Sequence, residues 1–248
     1  MKDQKEFYEK YWNDRKTKGR LHTKNGMWIP QRINIAVRMI VEEVKFGRKS
    51  SVSVLDVGCG EGTLGKLLKE QLKDKVFVIG CDISDVILNE ASIYYDKVFQ
   101  VNVETDEFMR KLSGQKFDYI VILEVLEHLF KPEIVLKQCY NLLNEDGFLI
   151  ASFPNIAWYK YRLDMLKGHF PKNYLLYPGE HIQNFTLHSF RKLLEGSGFC
   201  PIEIDGQFVF PRIFKPTRIF LPLFKKFPNL FGYQIVVKSK KIKITTLK

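Results

Sequence analysis

Three glycines fall within five residues in VLDVGCGEGTLGKLL, Val54 to Leu68, between a run of strand formers and a run of helix formers. A strand, a bare turn and a helix in that order place backbone N–H groups where a ligand can approach closely. Few folds accommodate such a joint, and the rest of the chain narrows them further. From residue 52 onward short apolar runs alternate with amphipathic segments: SVLDV, LGKLLKEQL, VFVIGCD, VILNEASIYY, KVFQV, DEFMRKL, FDYIVIL, EIVLKQCYNLL and FLIASF. Apolar runs without polar alternation suit strands covered on both faces, so the pattern predicts an α/β fold with a doubly wound, mostly parallel sheet.

The pattern also suggests divisions. Residues 1–50 read as an N-terminal helical cap of two helices, the second carrying Ile33, Val37, Ile40, Val41 and Val44 on one face. Residues 51–248 form the main domain, with Asp146-Gly147 as the turn into a strand ending near Phe153. Residues 154–185 break the rhythm and read as an insertion over the mouth of the sheet. Thr186 is the expected N-cap of another helix, stopped by Gly196 and Gly198. FCPIEI and GYQIVVK then supply a final antiparallel pair, the second inside a basic, aromatic extension over 206–248.

Hydrophobic residues make up 45 % of the chain, enough for a buried interior, which excludes wholesale disorder. Cys59, Cys81, Cys139 and Cys200 are far apart and show neither zinc-ligand nor disulfide-framework spacing, so reduced thiols in a cytoplasmic protein are expected. MKDQKEFYEKYW lacks the apolar core of a signal peptide, and no run is long enough to span a bilayer. The net charge of +11 is local: after Asp205 there is no acid, while ten basic residues follow.

The glycines Gly58, Gly60 and Gly62 give G-x-G-x-G, not the dinucleotide spacing G-x-G-x-x-G. Asp56 precedes them by two positions, where a carboxylate would repel a pyrophosphate and favour a cationic or zwitterionic ligand. Asp82 follows Gly62 by twenty positions at the end of the second strand, placed to accept both hydrogen bonds of a ribose diol. Ribose plus cation points to S-adenosylmethionine. Here the chain resembles the class I S-adenosylmethionine-dependent methyltransferases over most of residues 52–205. The resemblance implies a Rossmann-like, seven-stranded sheet and assigns the amino-acid part of the cofactor to Asp56 and the loop Gly58, Cys59, Gly60 and Gly62. It assigns the ribose to Asp82 with Ile83 beside it, the adenine border to Asn102 and Val103, and a further cofactor contact to Leu123. Asn102 stands where the family more often has Asp.

The fourth strand ends FDYIVILEVLEHL, and a helical turn there would put Glu124, Glu127 and His128 on one face at the carboxyl edge of the sheet. The E-x-x-E-H string resembles that of ubiquinone-pathway O-methyltransferases and is similar to the E-x-x-H-H of small-RNA 2′-O-methyltransferases. Both resemblances imply a divalent metal, Mg²⁺ or Mn²⁺, held by Glu124, Glu127, His128 and a later histidine, here His181. Coordination would lower the pKa of an acceptor hydroxyl. Two other readings stay open: Glu127 or His128 as a metal-free general base, or a structural string with Glu124 bonded to backbone and His128 packed beneath the insertion.

More narrowly, EVLEHL with WYKYRLDMLKGHF and HIQNFTLHSFRKLLEGSGF resembles methionine-biosynthesis-protein-W-like methyltransferases and relatives in glycan biosynthesis. That implies O-methylation of a small polar or saccharide acceptor, nucleotide-linked or lipid-linked. Trp158, Tyr159 and Tyr161 would form an acceptor wall or the insertion's own small core, and Arg162 and His169 would hold an anion or face solvent. The stretch FPRIFKPTRIFLPLFKKFPNLFGY would rest on an acidic membrane surface, at the inner face for a cytoplasmic protein, or form a solvated face. Nucleic acid is the weakest partner, since no separate RNA-binding module is visible. An RNA 2′-O-methyltransferase and a noncatalytic cofactor-binding partner in a biosynthetic complex are the alternatives.

Overall fold

A computed structural model describes residues 2–23, 28–171, 181–209 and 225–242. Part of the insertion, 172–180, and of the basic extension, 210–224 and 243–248, lies outside the described residues, and with them five of the ten basic residues (Arg212, Lys215, Arg218, Lys243 and Lys248) and most of the stretch expected to meet a membrane surface.

Seven strands form one sheet: β1 (Val52–Val57), β2 (Val76–Asp82), β3 (Lys97–Gln100), β4 (Phe117–Leu123), β5 (Leu143–Pro154), β6 (Phe199–Phe208) and β7 (Gly232–Lys241), in the order β3-β2-β1-β4-β5-β7-β6. The pairs among β1 to β5 are parallel, and β7 runs antiparallel to both β5 and β6. FCPIEI and GYQIVVK thus form the antiparallel pair expected of them. The connections place α3 (Thr63–Leu72), α4 (Asp85–Ala91), α5 (Asp106–Lys111), α6 (Pro132–Leu142) and α8 (Leu187–Gly196) around the sheet, with α7 (Tyr159–Leu166) in the insertion. The order reverses between β1 and β4, so the chain leaves these neighbours in opposite directions and a crevice opens beyond their carboxyl ends.

Two apolar layers cover the sheet. On one face Phe108, Phe117, Leu136, Phe153, Phe190 and Phe199 pack together; on the other α2 (Gln31–Lys45) lays Val37, Ile40, Val41 and Val44 on Val54, Tyr119, Val121 and Val236. Each such aliphatic side chain, fully buried, contributes about 1.5–3 kcal/mol, so α2 packs as part of the core. Its helical spacing supplies that stripe, and Ile35, Ala36 and Met39 widen it. The other N-terminal helix, α1 (Lys2–Thr17), lies across the carboxyl edge and is tied to α4 by Lys5–Asp85 and Lys16–Glu90 contacts of 2.7 Å each.

Local signals hold in most places. Thr186 caps α8 by accepting from Ser189 N–H at 3.2 Å, with the reciprocal bond from Thr186 N–H to Ser189 Oγ at 3.0 Å. Asp146-Gly147 is not the entry to its strand. Pairing with β4 begins at Leu143 and shifts register between Phe117 and Tyr119, so the two residues sit in an irregularity within β5. Trp158 and Tyr161 are buried and pack edge-on to one another at 5.2 Å, with Trp158 5.1 Å from both Tyr159 and Tyr233. These rings pack on one another and on Tyr233 of β7, and they line no part of the main cavity. Among the described residues no helix is long and apolar enough to cross a membrane.

Candidate active site

The crevice between β1 and β4 holds a cavity of about 420 Å³. Asp56, Gly58, Cys59, Gly60, Asp82, Ile83, Asn102, Val103, Leu123, Glu124, His128 and His181 all line it, whereas Arg162 and His169 of the insertion, like Trp158, Tyr159 and Tyr161, do not. Gly62 and the buried Glu127 do not line the cavity either.

The glycine turn is pinned from below. The N–H groups of Gly58 and Cys59 both donate to the Cys81 carbonyl, at 2.8 and 2.9 Å, and Gly60 N–H donates to Asp82 Oδ2 at 3.0 Å. All three glycines have positive φ: +74° at Gly58, +51° at Gly60 and +88° at Gly62. Packing demands as much as any ligand does. A Cβ on Gly58 would stand 2.4 Å from Val125 Cγ2, and one on Gly62 3.0 Å from the Ala91 Cα of α4. At Gly60 the obstacle is Trp12, whose ring from α1 would lie 3.0 Å from a Cβ and so roofs the turn.

The two acids are buried and differ in what holds them. Asp82 accepts from Ser84 N–H at 3.0 Å as well as from Gly60; burial still pushes it up to about 6, with backbone N–H groups pulling the other way. Asp56 is pushed up to about 7 by burial, with Asp82 adding to the rise and a 2.6 Å hydrogen bond from the Tyr95 hydroxyl opposing it. Asn102 keeps its place at the cavity, but its side-chain oxygen accepts from Glu104 N–H at 3.0 Å and so closes a turn.

On the acceptor side the predicted helical turn is absent. Glu124 has φ +57°, in the left-handed region, and a short 3₁₀ turn follows over Leu126–His128. Glu124 therefore parts from its neighbours: its Oε1 accepts from Ser152 Oγ at 3.2 Å and its Oε2 from Gln234 Nε2 at 3.1 Å. Burial raises its pKa, against the charge of Arg32 and these two donors. Glu127, His128 and His181 do converge, with one donor atom from each within 4.8 Å of the others. What places His181 is backbone: Ile182 and Gln183 N–H both donate to the Glu127 carbonyl at 2.8 Å, pinning the return of the insertion to the 3₁₀ turn. The imidazole rings of His128 and His181 are 4.7 Å apart, and Tyr8 of α1 meets His128 edge-on at 5.9 Å. Burial, with His128 beside it, lowers His181 to about 4. A buried carboxylate and two imidazoles fit a borderline divalent ion in donor type and span, with Glu124 outside the cluster.

Tyr8, Tyr11, Trp12, Arg32 and Gln234 line the cavity without having been singled out in the sequence. Aromatic residues at positions 8, 11 and 12 share one helical face, which was a usable signal; Arg32 and Gln234 carry none.

A family model described as methyltransferase domain matches residues 30–204. The chain belongs to this methyltransferase domain family. Curated relatives named ubiquinone biosynthesis O-methyltransferase include that of Glaesserella parasuis, 35% identical over 122 residues covering 44% of this chain and 47% of the relative. That of Coxiella burnetii is 30% identical over 159 residues, covering 62% and 65%. The chain spans about half to two thirds of the length of the curated relatives it matches. These relatives leave the narrower glycan-pathway resemblance without support. Among solved structures, magnesium protoporphyrin IX methyltransferase from Synechocystis PCC 6803 with bound SAH superposes with TM-score 0.61 at 18% identity, over 96% of this chain and 97% of that one. A SAM-dependent methyltransferase from Archaeoglobus fulgidus gives 0.57 at 18% identity, over 83% and 94%. At such identities the methyltransferase domain shares their fold.

Proposed function

We propose that this methyltransferase domain transfers a methyl group from S-adenosylmethionine to a hydroxyl oxygen. The observation that carries the proposal is the meeting, in one cavity, of the Asp56–glycine turn–Asp82 constellation with His128 and His181, against which Glu127 is buried. Asp56 would face the ammonium of the donor, Asp82 its ribose, and Val103 with Leu123 the adenine rim. The acceptor oxygen would attack the methyl carbon in line with the sulfur; the C–O bond forms, the C–S bond breaks, and sulfur keeps the electron pair. The hydroxyl proton must leave, and the cluster is the basic group at hand. His181, held near 4, is neutral at ordinary pH and available as acceptor or ligand. A divalent ion held by Glu127, His128 and His181 would supply charge that lowers the hydroxyl's pKa; without one, the His128 imidazole at the cavity wall, backed by Glu127, would take the proton.

The acceptor wall favours a flat, apolar-faced hydroxyl compound. Tyr8, Tyr11 and Trp28 line the cavity, and the relatives are named ubiquinone biosynthesis O-methyltransferases. Purified protein with labelled S-adenosylmethionine should methylate catechols or phenols in preference to saccharides and nucleotide sugars. Folded protein with no affinity for S-adenosylmethionine or its demethylated product would overturn the reading. Binding without turnover across both acceptor sets would point to the noncatalytic alternative.

A further inference from the structure

Outside the glycine turn, two more glycines face one side chain from opposite sides. A Cβ on Gly65, in the first turn of α3, would stand 2.6 Å from Tyr95 Cε2 and 2.7 Å from Cζ. One on Gly80, inside β2, would stand 3.0 Å from Tyr95 Cδ1 and Cε1. Glycine in a helix or strand interior costs about 0.5–1 kcal/mol relative to alanine, so two such positions around one ring mark a built slot. The slot delivers a hydroxyl. Tyr95 Oη donates to Asp56 Oδ2 at 2.6 Å and accepts from Gly65 N–H at 3.2 Å. That N–H belongs to the start of α3, where no intrahelical acceptor exists for it. Asp56 Oδ1 meets no donor among the described residues, and Asp56 lines the cavity.

We propose that Tyr95 is a positioning residue for the methyl donor: its hydroxyl, polarised by the first turn of α3, fixes Asp56 so that the free carboxylate oxygen faces the cofactor's ammonium. This rests on the reading of Asp56 as a cofactor-facing group. The phenol cannot exchange roles with its partner, because burial and the charge of Asp56 hold its own pKa well above 10, and it remains the donor. Without it Asp56 loses the one contact that opposes the upward push of burial and of Asp82. Removing the hydroxyl therefore favours the protonated carboxyl, which cannot hold a cation.

The test is calorimetric titration of the intact chain with S-adenosylmethionine between pH 6 and 9, for wild type, Tyr95→Phe, Asp56→Asn and the double variant. Tyr95→Phe keeps the ring in its slot and should weaken binding about 5- to 10-fold at pH 8. It should also move the acid midpoint of binding up by about one pH unit relative to wild type at matched pH, a change that lost packing alone would not produce. In the Asp56→Asn background the same substitution should have no further effect. Gly65→Ala, which crowds the ring while leaving the phenol intact, should shift the midpoint in the same direction and serves should Tyr95→Phe fold poorly. An unmoved midpoint in both variants, or an undiminished loss in the Asp56→Asn background, overturns the role of Tyr95. Unchanged affinity in Asp56→Asn would instead refute the reading of Asp56 itself.

Discussion

Replacing Gly58 by alanine separates the two reasons for a glycine there. At φ +74° an L-residue carries about 1–2 kcal/mol of backbone strain. The new Cβ would also stand 2.4 Å from Val125 Cγ2, far inside carbon–carbon contact distance, and overpacking of that kind adds about 1–3 kcal/mol. The expected destabilisation is the sum, about 2–5 kcal/mol, a large share of the 5–15 kcal/mol typical of a folded domain. Val125→Ala alone, trimming a partly buried side chain, should lose about 1 kcal/mol. In the double variant the clash disappears and only strain and the lost methyls remain, so the two substitutions should couple favourably by about 1–3 kcal/mol. Equilibrium urea unfolding of the four proteins measures this directly. Cofactor affinity should follow the same order, because the N–H groups of Gly58 and Cys59 hang on Cys81 and pass any shift to Asp82 through Gly60. Additivity within about 0.5 kcal/mol would refute Val125 as the obstacle, and a Gly58→Ala protein as stable as wild type would refute both contributions.

With Asp56 near 7 and Asp82 near 6, above the usual carboxylate value of about 4, the native state binds extra protons between those limits. Their share of stability is therefore greatest at low pH and is lost as pH rises toward 7, while affinity for the cationic donor rises over the same interval; unfolding and binding titrations that move together would contradict this. Glu127→Gln and His181→Ala should each lower turnover about 100-fold or more and leave donor affinity within about twofold, with steady-state kinetics as the check. Activity lost in chelator and restored by Mg²⁺ or Mn²⁺ would assign the cluster to metal, and full activity in chelator without bound ion would assign it to proton transfer. Trp12→Ala should weaken donor binding about tenfold with little change in the unfolding midpoint, since the ring roofs the turn and lies outside the two core layers; unchanged affinity would show that α1 does not cover the cofactor.

How much of the site was legible depended on whether a residue's role is local. Asp56, the glycines and Asp82 lie within or next to β1 and β2, whose apolar runs set their own position and direction. A strand end, a left-handed turn and a helix start are all written within a few residues. Glu124 shows the opposite case. Helical spacing groups it with Glu127 and His128, yet hydrogen bonds from Ser152 on β5 and Gln234 on β7 hold it apart, and no local pattern encodes partners so distant in sequence. Trp158 and Tyr161 likewise look the same whether they face a ligand or each other; Tyr233, arriving from the far end of the chain, decides for the latter.

The sequence by itself determined the α/β alternation, the strand–glycine–helix joint and the pair of acids at the ends of β1 and β2, because hydrophobic periodicity and backbone sterics act over a few neighbouring residues. Only the tertiary structure decided that α1 roofs the cavity, that Tyr95 reaches Asp56 between two glycines, and that His181 joins Glu127 and His128 while Glu124 does not. Those contacts form when the strand order reverses beside β1 and segments remote in the chain are packed onto one edge, a geometry fixed by burial across the whole sheet.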